Sequence, residues 1–188
     1  PVRFLILTTG VLCCVKGGSH HLLVLCAGAF GVAMATVFLC PGSHVTMAHN
    51  APRIPSRDVS ELAGMLERCL RDECVQFRLG DEVESFEPEA ACLKSGERIA
   101  FDFVLVAAGR RSNFDALEPG AAGIRTTGSG IQVDARCRTT AKNIFACGDV
   151  MGKHMFTHMA EHTAKVAVMN AILHMPSRVD QGRIPWCT

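Results

Sequence analysis

The residues best placed to do chemistry are two glycines. Gly28 and Gly31 lie in "LCAGAFGVAMA", between one apolar run and the next. They stand where the second and third glycines of a G-x-G-x-x-G fingerprint belong, after a strand and opening a helix. The second glycine of that pattern lets the backbone approach a pyrophosphate, and the third lets the helix pack closely on its strand. The helix N-terminus then offers free N–H groups and the positive end of a dipole. Cys26 replaces the first glycine, whose task is a tight turn.

The elements around these glycines decide whether the pattern can work. Leu22 to Cys40 carries no charge and is nearly long enough to cross a bilayer. It reads either as a membrane helix or as a buried strand, a glycine turn and a buried helix. Only Lys16 precedes it nearby and no basic residue follows until Arg53, which are poor flanks for an anchor. The glycine register favours the second reading: a strand over His21 to Cys26 and a helix over Ala29 to Cys40, ended by Pro41 and Gly42.

"HVTMAH" (His44 to His49) follows as a second strand. A helix over Ser60 to Cys74 comes next, with Asp58 or Ser60 as its cap and Leu62, Met65, Leu66, Cys69 and Leu70 as its apolar stripe. Val75 to Leu79 predicts a third strand. From Gly80 to Phe103 short alternating pieces with a "KSGE" turn predict an antiparallel meander, and "FVLVAAG" a buried strand ending at Gly109. This order implies an α/β sheet with helices on both faces. After a glycine-rich stretch, "IQVD", "NIFACGD" and a helix over Phe156 to Leu173 form a second block.

The totals exclude little. The 188 residues suit one medium domain or two small ones, and a formal charge of +1 gives no reason to expect a nucleic-acid partner. Ten cysteines, many inside apolar runs, fit small buried side chains in a reducing cytoplasm better than a disulfide scaffold. The opening "PVRFLILTTGVLCCV" lacks the small-residue closure of a secretion signal. Two other patterns are set aside. "HMAEH" (His158 to His162) matches the H-x-x-E-H of some zinc peptidases, but no Glu follows Glu161 to complete the ligands, and no metal is expected. Cys69 and Cys74 have C-x-x-x-x-C spacing, yet on one helix that step turns them about 140° apart. They read as core cysteines, Cys69 within the buried stripe.

Four blocks in order, "LCAGAFGVAMA", "VLVAAGRRSN", "IFACGDV" and "MFTHMAEHTAKVAVMNAI", resemble the flavoprotein disulfide reductase family, its dihydrolipoamide dehydrogenase and mercuric reductase-like branches most of all. The resemblance implies a Rossmann-like FAD/NAD(P)-binding α/β fold with an antiparallel β-meander, plus the second half of an FAD-binding domain. It implies an N-terminal connector over residues 1–19, an NAD(P)-binding domain over 20–112, the second FAD segment over 113–175 and the start of a dimerisation domain over 176–188.

The implied cofactors are FAD and NAD(P)H. Gly28, Ala29, Phe30, Gly31, His49, Val83 and Gly109 take the family's pyridine-nucleotide positions. Gly148, Asp149, Met155, Phe156, Thr157 and His158 take its flavin positions. In such enzymes hydride passes from nicotinamide to flavin and on to a disulfide or another acceptor. No residue here is a convincing catalytic group. Three further departures stand out: Ala33 for a Glu near the nicotinamide, His49 for an acidic ribose partner, and Ser112 for the Pro of "GRxPN". NAD and NADP both remain open. The family's redox cysteine pair has no counterpart upstream of His20, and most of its dimerisation domain would follow Thr188, so the chain reads as an internal segment of a homodimeric, cytoplasmic enzyme, or as a non-catalytic or decayed nucleotide-binding module.

Overall fold

The computed structural model describes residues 4–6, 20–39, 42–54, 60–180, 182 and 184–185. The chain divides after Gly109 into two compact units. The first unit holds a five-stranded parallel sheet of β1 (Phe4–Ile6), β2 (His21–Leu25), β3 (His44–His49), β4 (Gln76–Leu79) and β8 (Phe103–Val106), in the order β1-β8-β2-β3-β4. A three-stranded antiparallel sheet of β5 (Val83–Phe86), β6 (Ala90–Leu93) and β7 (Arg98–Ala100) accompanies it. The helices are α1 (Ala29–Leu39) and α2 (Ser60–Asp72).

The uncharged segment is therefore not a rod. It is strand β2, a turn at Cys26 to Gly28, and an 11-residue helix. Such a helix is about 16 Å long, half the ~30 Å of a hydrocarbon core. No helix among the described residues is long and apolar enough to cross a membrane.

The segment is apolar throughout because both faces of the sheet are covered. Leu22 and Val24 of β2, Val45 and Met47 of β3, and Phe103 and Leu105 of β8 form one buried cluster with Val32, Ala35 and Phe38 of α1 and Leu70 of α2. Their neighbours Leu23, Ala48 and Val104 point the other way and pack with Ala91, Leu93, Ile99 and Phe101. Both helices thus share one face and the meander covers the other. The expectation of helices on both faces is corrected accordingly.

Three smaller corrections follow. Phe4–Ile6, placed by sequence in a connector, is an edge strand paired with β8; the rest of residues 1–19 lie outside the described residues. Helix α2 buries Ala63 and Leu70, with Leu66 packed behind them, while Leu62 is 62% and Met65 55% exposed and Cys69 is exposed too. Leu66 and Leu70 of the expected stripe pack with the sheet's core cluster, Ala63 is buried, and Leu62, Met65 and Cys69 are turned outward. Arg110 to Ser112, expected with the first domain, belongs to the second unit.

The second unit is built on α3 (Thr157–Ala171) and three 3-10 turns, Asp115–Leu117, Pro119–Ala122 and Gly148–Met151. "IQVD" and "NIFACGD" contribute only the isolated bridges Thr126–Ile131 and Arg138–Phe145. Cys137, Met159, Val166, Ala167 and Val179 form one core of this unit, and Phe114, Ile131 and Ala146 another. Asp58, Pro41 and most of "IPWCT" lie outside the described residues.

Candidate functional site

In the first unit the chain runs from β2 to β3 and β4 on one side, and returns in β8 on the other. The carboxyl ends of β2 and β8 therefore flank a topological switch point, where open α/β sheets leave a crevice for ligands. The Ala107 N–H donates to the Leu25 carbonyl at 3.0 Å, and the Cys26 N–H to Ala48 at 2.8 Å. These bonds hold the two exit loops at the sheet end.

At this end α1 begins. The Gly28 carbonyl accepts the Val32 N–H at 3.0 Å, which makes Gly28 the N-cap. The N–H groups of Ala29, Phe30 and Gly31 then have no carbonyl within the helix, and no acidic side chain occupies its first turn. The two glycines have separate jobs. A Cβ on Gly31 would stand 2.1 Å from the Cys26 carbonyl oxygen, so the strand–helix contact requires glycine there. A Cβ on Gly28 would meet nothing closer than the Cys26 Sγ, at 3.9 Å. Gly31 serves packing, and the space beside Gly28 is open. Cys26 takes φ of 79°. Cys26 thus makes a left-handed turn on a side chain that tolerates it poorly.

His49 ends β3, next to Ala48, the partner of Leu25. It is 8% exposed, its Nε2 has no partner among the described residues, and burial pushes its imidazole pKa down. It is a neutral ring with a buried polar atom to satisfy. Val83 is half-buried against the cluster that includes Leu25 and Val106, and Gly109 has φ of 112°. The structure thus sets Gly28 to Gly31, His49 and Gly109 at or just beyond the carboxyl ends of three strands. Phe30, at 48%, and Ala33 are exposed.

In the second unit Gly148, at φ of 75°, turns the chain beneath α3, 3.4 Å from the Ala160 methyl when given a Cβ. Its N–H donates to the Thr163 hydroxyl at 2.9 Å, and that hydroxyl donates in turn to the Met159 carbonyl at 2.7 Å. Asp149 follows, half exposed, with a carboxylate oxygen 3.9 Å from Arg110. Arg110 also donates to the Met155 carbonyl at 2.6 Å. Helix α3 starts without a cap: Phe156 is extended, makes no side-chain cap bond, and accepts the Ala160 N–H at 2.9 Å. The N–H groups of Thr157, His158 and Met159 are therefore free of helical partners, and again no acidic residue sits in the first turn. The Phe156 and His158 rings stack 5.4 Å apart. Sequence reasoning missed Arg110 and Thr163 and treated Ser112 only as a departure. Their partners are distant in the chain, and no local pattern announces them.

Residues 8–164 match the family model described as pyridine nucleotide-disulphide oxidoreductase. The chain is 30% identical over 190 aligned residues to a dihydrolipoyl dehydrogenase of Chlorobaculum parvum, covering 97% of this chain and 40% of that protein. It is 35% identical to the dihydrolipoyl dehydrogenase of Geobacillus stearothermophilus, over 87% of this chain and 36% of the relative. The solved HOCl-induced flavoprotein disulfide reductase RclA from Escherichia coli superposes with a TM-score of 0.81 at 28% identity, covering 97% of this chain and 43% of its own. The chain spans about 40% of the length of these relatives. With a glycine-capped helix at a turn beside the sheet's switch point, and a family model matching most of its length, this chain belongs to the pyridine nucleotide-disulphide oxidoreductase family.

Proposed function

We propose that the chain is the pyridine-nucleotide domain and second flavin segment of an FAD-dependent NAD(P)H oxidoreductase. The observation that carries this reading is the open N-terminus of α1: three amides with no hydrogen-bond partner among the described residues, behind a glycine whose side-chain position is empty. The N–H groups of Ala29, Phe30 and Gly31 donate to the diphosphate of NAD(P)H, helped by the helix dipole. His49, with its buried Nε2, takes a hydroxyl of the adenosine ribose. Phe30 and Val83 flank the nucleotide, and Gly109 turns the chain away from it.

In the second unit, Asp149 accepts hydrogen bonds from hydroxyls of the flavin side chain. Met155, Phe156, Thr157 and His158 lie along the flavin, and Gly148 brings the turn close to α3. When bound, FAD supplies the two-electron chemistry that accepts hydride and passes electrons to a disulfide or another acceptor. The residues of this chain bind, orient and exclude water, and none transfers a proton. A cytoplasmic location fits the six described cysteines, all free thiols. A homodimer is proposed for the longer protein.

Purified chain tests the reading. Flavin absorbance retained through gel filtration and bleached by NADH or NADPH supports the oxidoreductase. Nucleotide binding without retained flavin reduces it to a binding module, and binding of neither removes it.

A further inference from the structure

We propose that Ser112 is a positioning residue that fixes the Asp149 turn, an inference that rests on the flavin role given to Asp149 above. Ser112 is 5% exposed, and its Oγ lies 2.7 Å from the Asp149 carbonyl oxygen and 2.8 Å from that of Ser129. A hydroxyl has one proton, so it donates to one carbonyl at a time and holds both segments within reach. The segments it joins are already crowded. A Cβ on Gly130 would stand 2.5 Å from the Gly152 nitrogen, and one on Gly152 would stand 2.0 Å from the Ser129 oxygen. The 127–131 loop and the 149–152 turn thus pass backbone to backbone, and Ser112 is the side chain set between their carbonyls.

Arg110, two residues earlier, reaches the Asp149 carboxylate and the Met155 carbonyl. The "GRRSN" turn therefore grips Asp149 at both ends, at its carboxylate loosely and at its backbone closely. The family pattern has proline at position 112, which has no hydroxyl to offer. In this chain the serine supplies the grip. Loss of the hydroxyl frees the turn without touching a group that meets the flavin.

The test compares Ser112→Ala and Ser112→Thr with Thr139→Val, which removes an equally buried hydroxyl of the same unit that bonds only to Ala141 and Ile144. Amide hydrogen exchange is measured across residues 146–152 and across α3. Losing a hydrogen bond of about 1 kcal/mol speeds local opening by roughly fivefold. The expected result is exchange about fivefold faster at Gly148 and Gly152 in Ser112→Ala alone, unchanged α3, and recovery in Ser112→Thr. Flavin affinity falls by a similar factor in Ser112→Ala and not in Thr139→Val. Unchanged exchange at 146–152 in Ser112→Ala overturns the proposal. So does an equal rise across the whole unit in both Ser112→Ala and Thr139→Val, which marks generic destabilisation. If the unaltered chain retains no flavin, the flavin reading fails by itself while the exchange comparison still decides the role of Ser112.

Discussion

Substituting each of the two glycines by alanine separates packing from binding. At Gly31 an added Cβ would be 2.1 Å from the Cys26 oxygen, 3.3 Å from its carbonyl carbon and 3.5 Å from the Val24 side chain. The first of these is 0.9 Å inside the 3.0 Å that real Cβ atoms essentially never breach. The obstacle is backbone, pinned by the Cys26 N–H bond to Ala48. A side chain cannot swing away, so α1 must lift off β2. Overpacking of this kind costs about 3 kcal/mol, the upper end of its usual range. For a chain of this size that lowers Tm by roughly 6–12 °C. At Gly28 the added methyl meets nothing nearer than 3.9 Å, and no positive φ forbids it. Gly28→Ala keeps its Tm within about 2 °C, yet its methyl stands where a diphosphate must come. Losing one or two charge-assisted bonds there costs about 2 kcal/mol, or roughly thirtyfold in affinity for ADP-ribose or NADH. Thermal unfolding and calorimetric titration of both variants give the answer. A heat-labile Gly28→Ala with full affinity, or a stable Gly31→Ala, would refute the division of labour.

Cys26→Gly relieves a side chain held at φ of 79°. The left-handed cost of about 1–2 kcal/mol outweighs the ~0.5–1 kcal/mol of added unfolded-state entropy, so Tm rises by a few degrees, and a fall contradicts the strain. Burial holds the His49 imidazole below its ordinary 6.5. A base so depressed binds fewer protons folded than unfolded, so its share of stability is complete above about 6.5 and is lost as pH falls from there through the lower folded value. Urea unfolding from pH 7.5 to 5.5 should show this slope, flattened but not abolished in His49→Asn, because His21 is depressed in the same direction by burial and by nearby His44. An equal slope in both proteins removes His49 as the cause. The Cys137 thiol is pushed up to about 11, first by burial and then by the neighbouring Cys147 and Asp134. At pH 8 iodoacetamide therefore labels exposed Cys147 well before Cys137, as mass spectrometry of the folded chain can read; equal labelling contradicts the burial.

The glycine turn was legible because its signal is local. Two apolar runs of the right lengths meet at glycines three apart, and the resulting strand and helix lie within a residue of where the pattern puts them. His44–His49 reads as directly, from its β-branched and apolar residues. What covers each face of the sheet was not legible. Leu22, Leu23, Val24 and Leu25 are apolar on both faces, so their order is silent about which face meets helices and which meets the meander. In α2 the eye goes to Leu62 and Met65, but the helix turns them outward and buries Ala63 and Leu70 instead. In the second unit the hydroxyl of Ser112 bonds carbonyls 17 and 37 residues away. No spacing rule reaches that far. Cys26 shows the opposite case: the missing glycine is visible in sequence, and the cysteine in its place takes a positive φ of 79°, a region that favours glycine.

Backbone amide shifts on addition of ADP-ribose test the central claim most directly. The largest changes are expected at Ala29, Phe30 and Gly31, with Gly28 and His49 beside them and the amides of α2 unmoved. Saturating ligand that leaves those amides in place, or moves another part of the molecule instead, contradicts it.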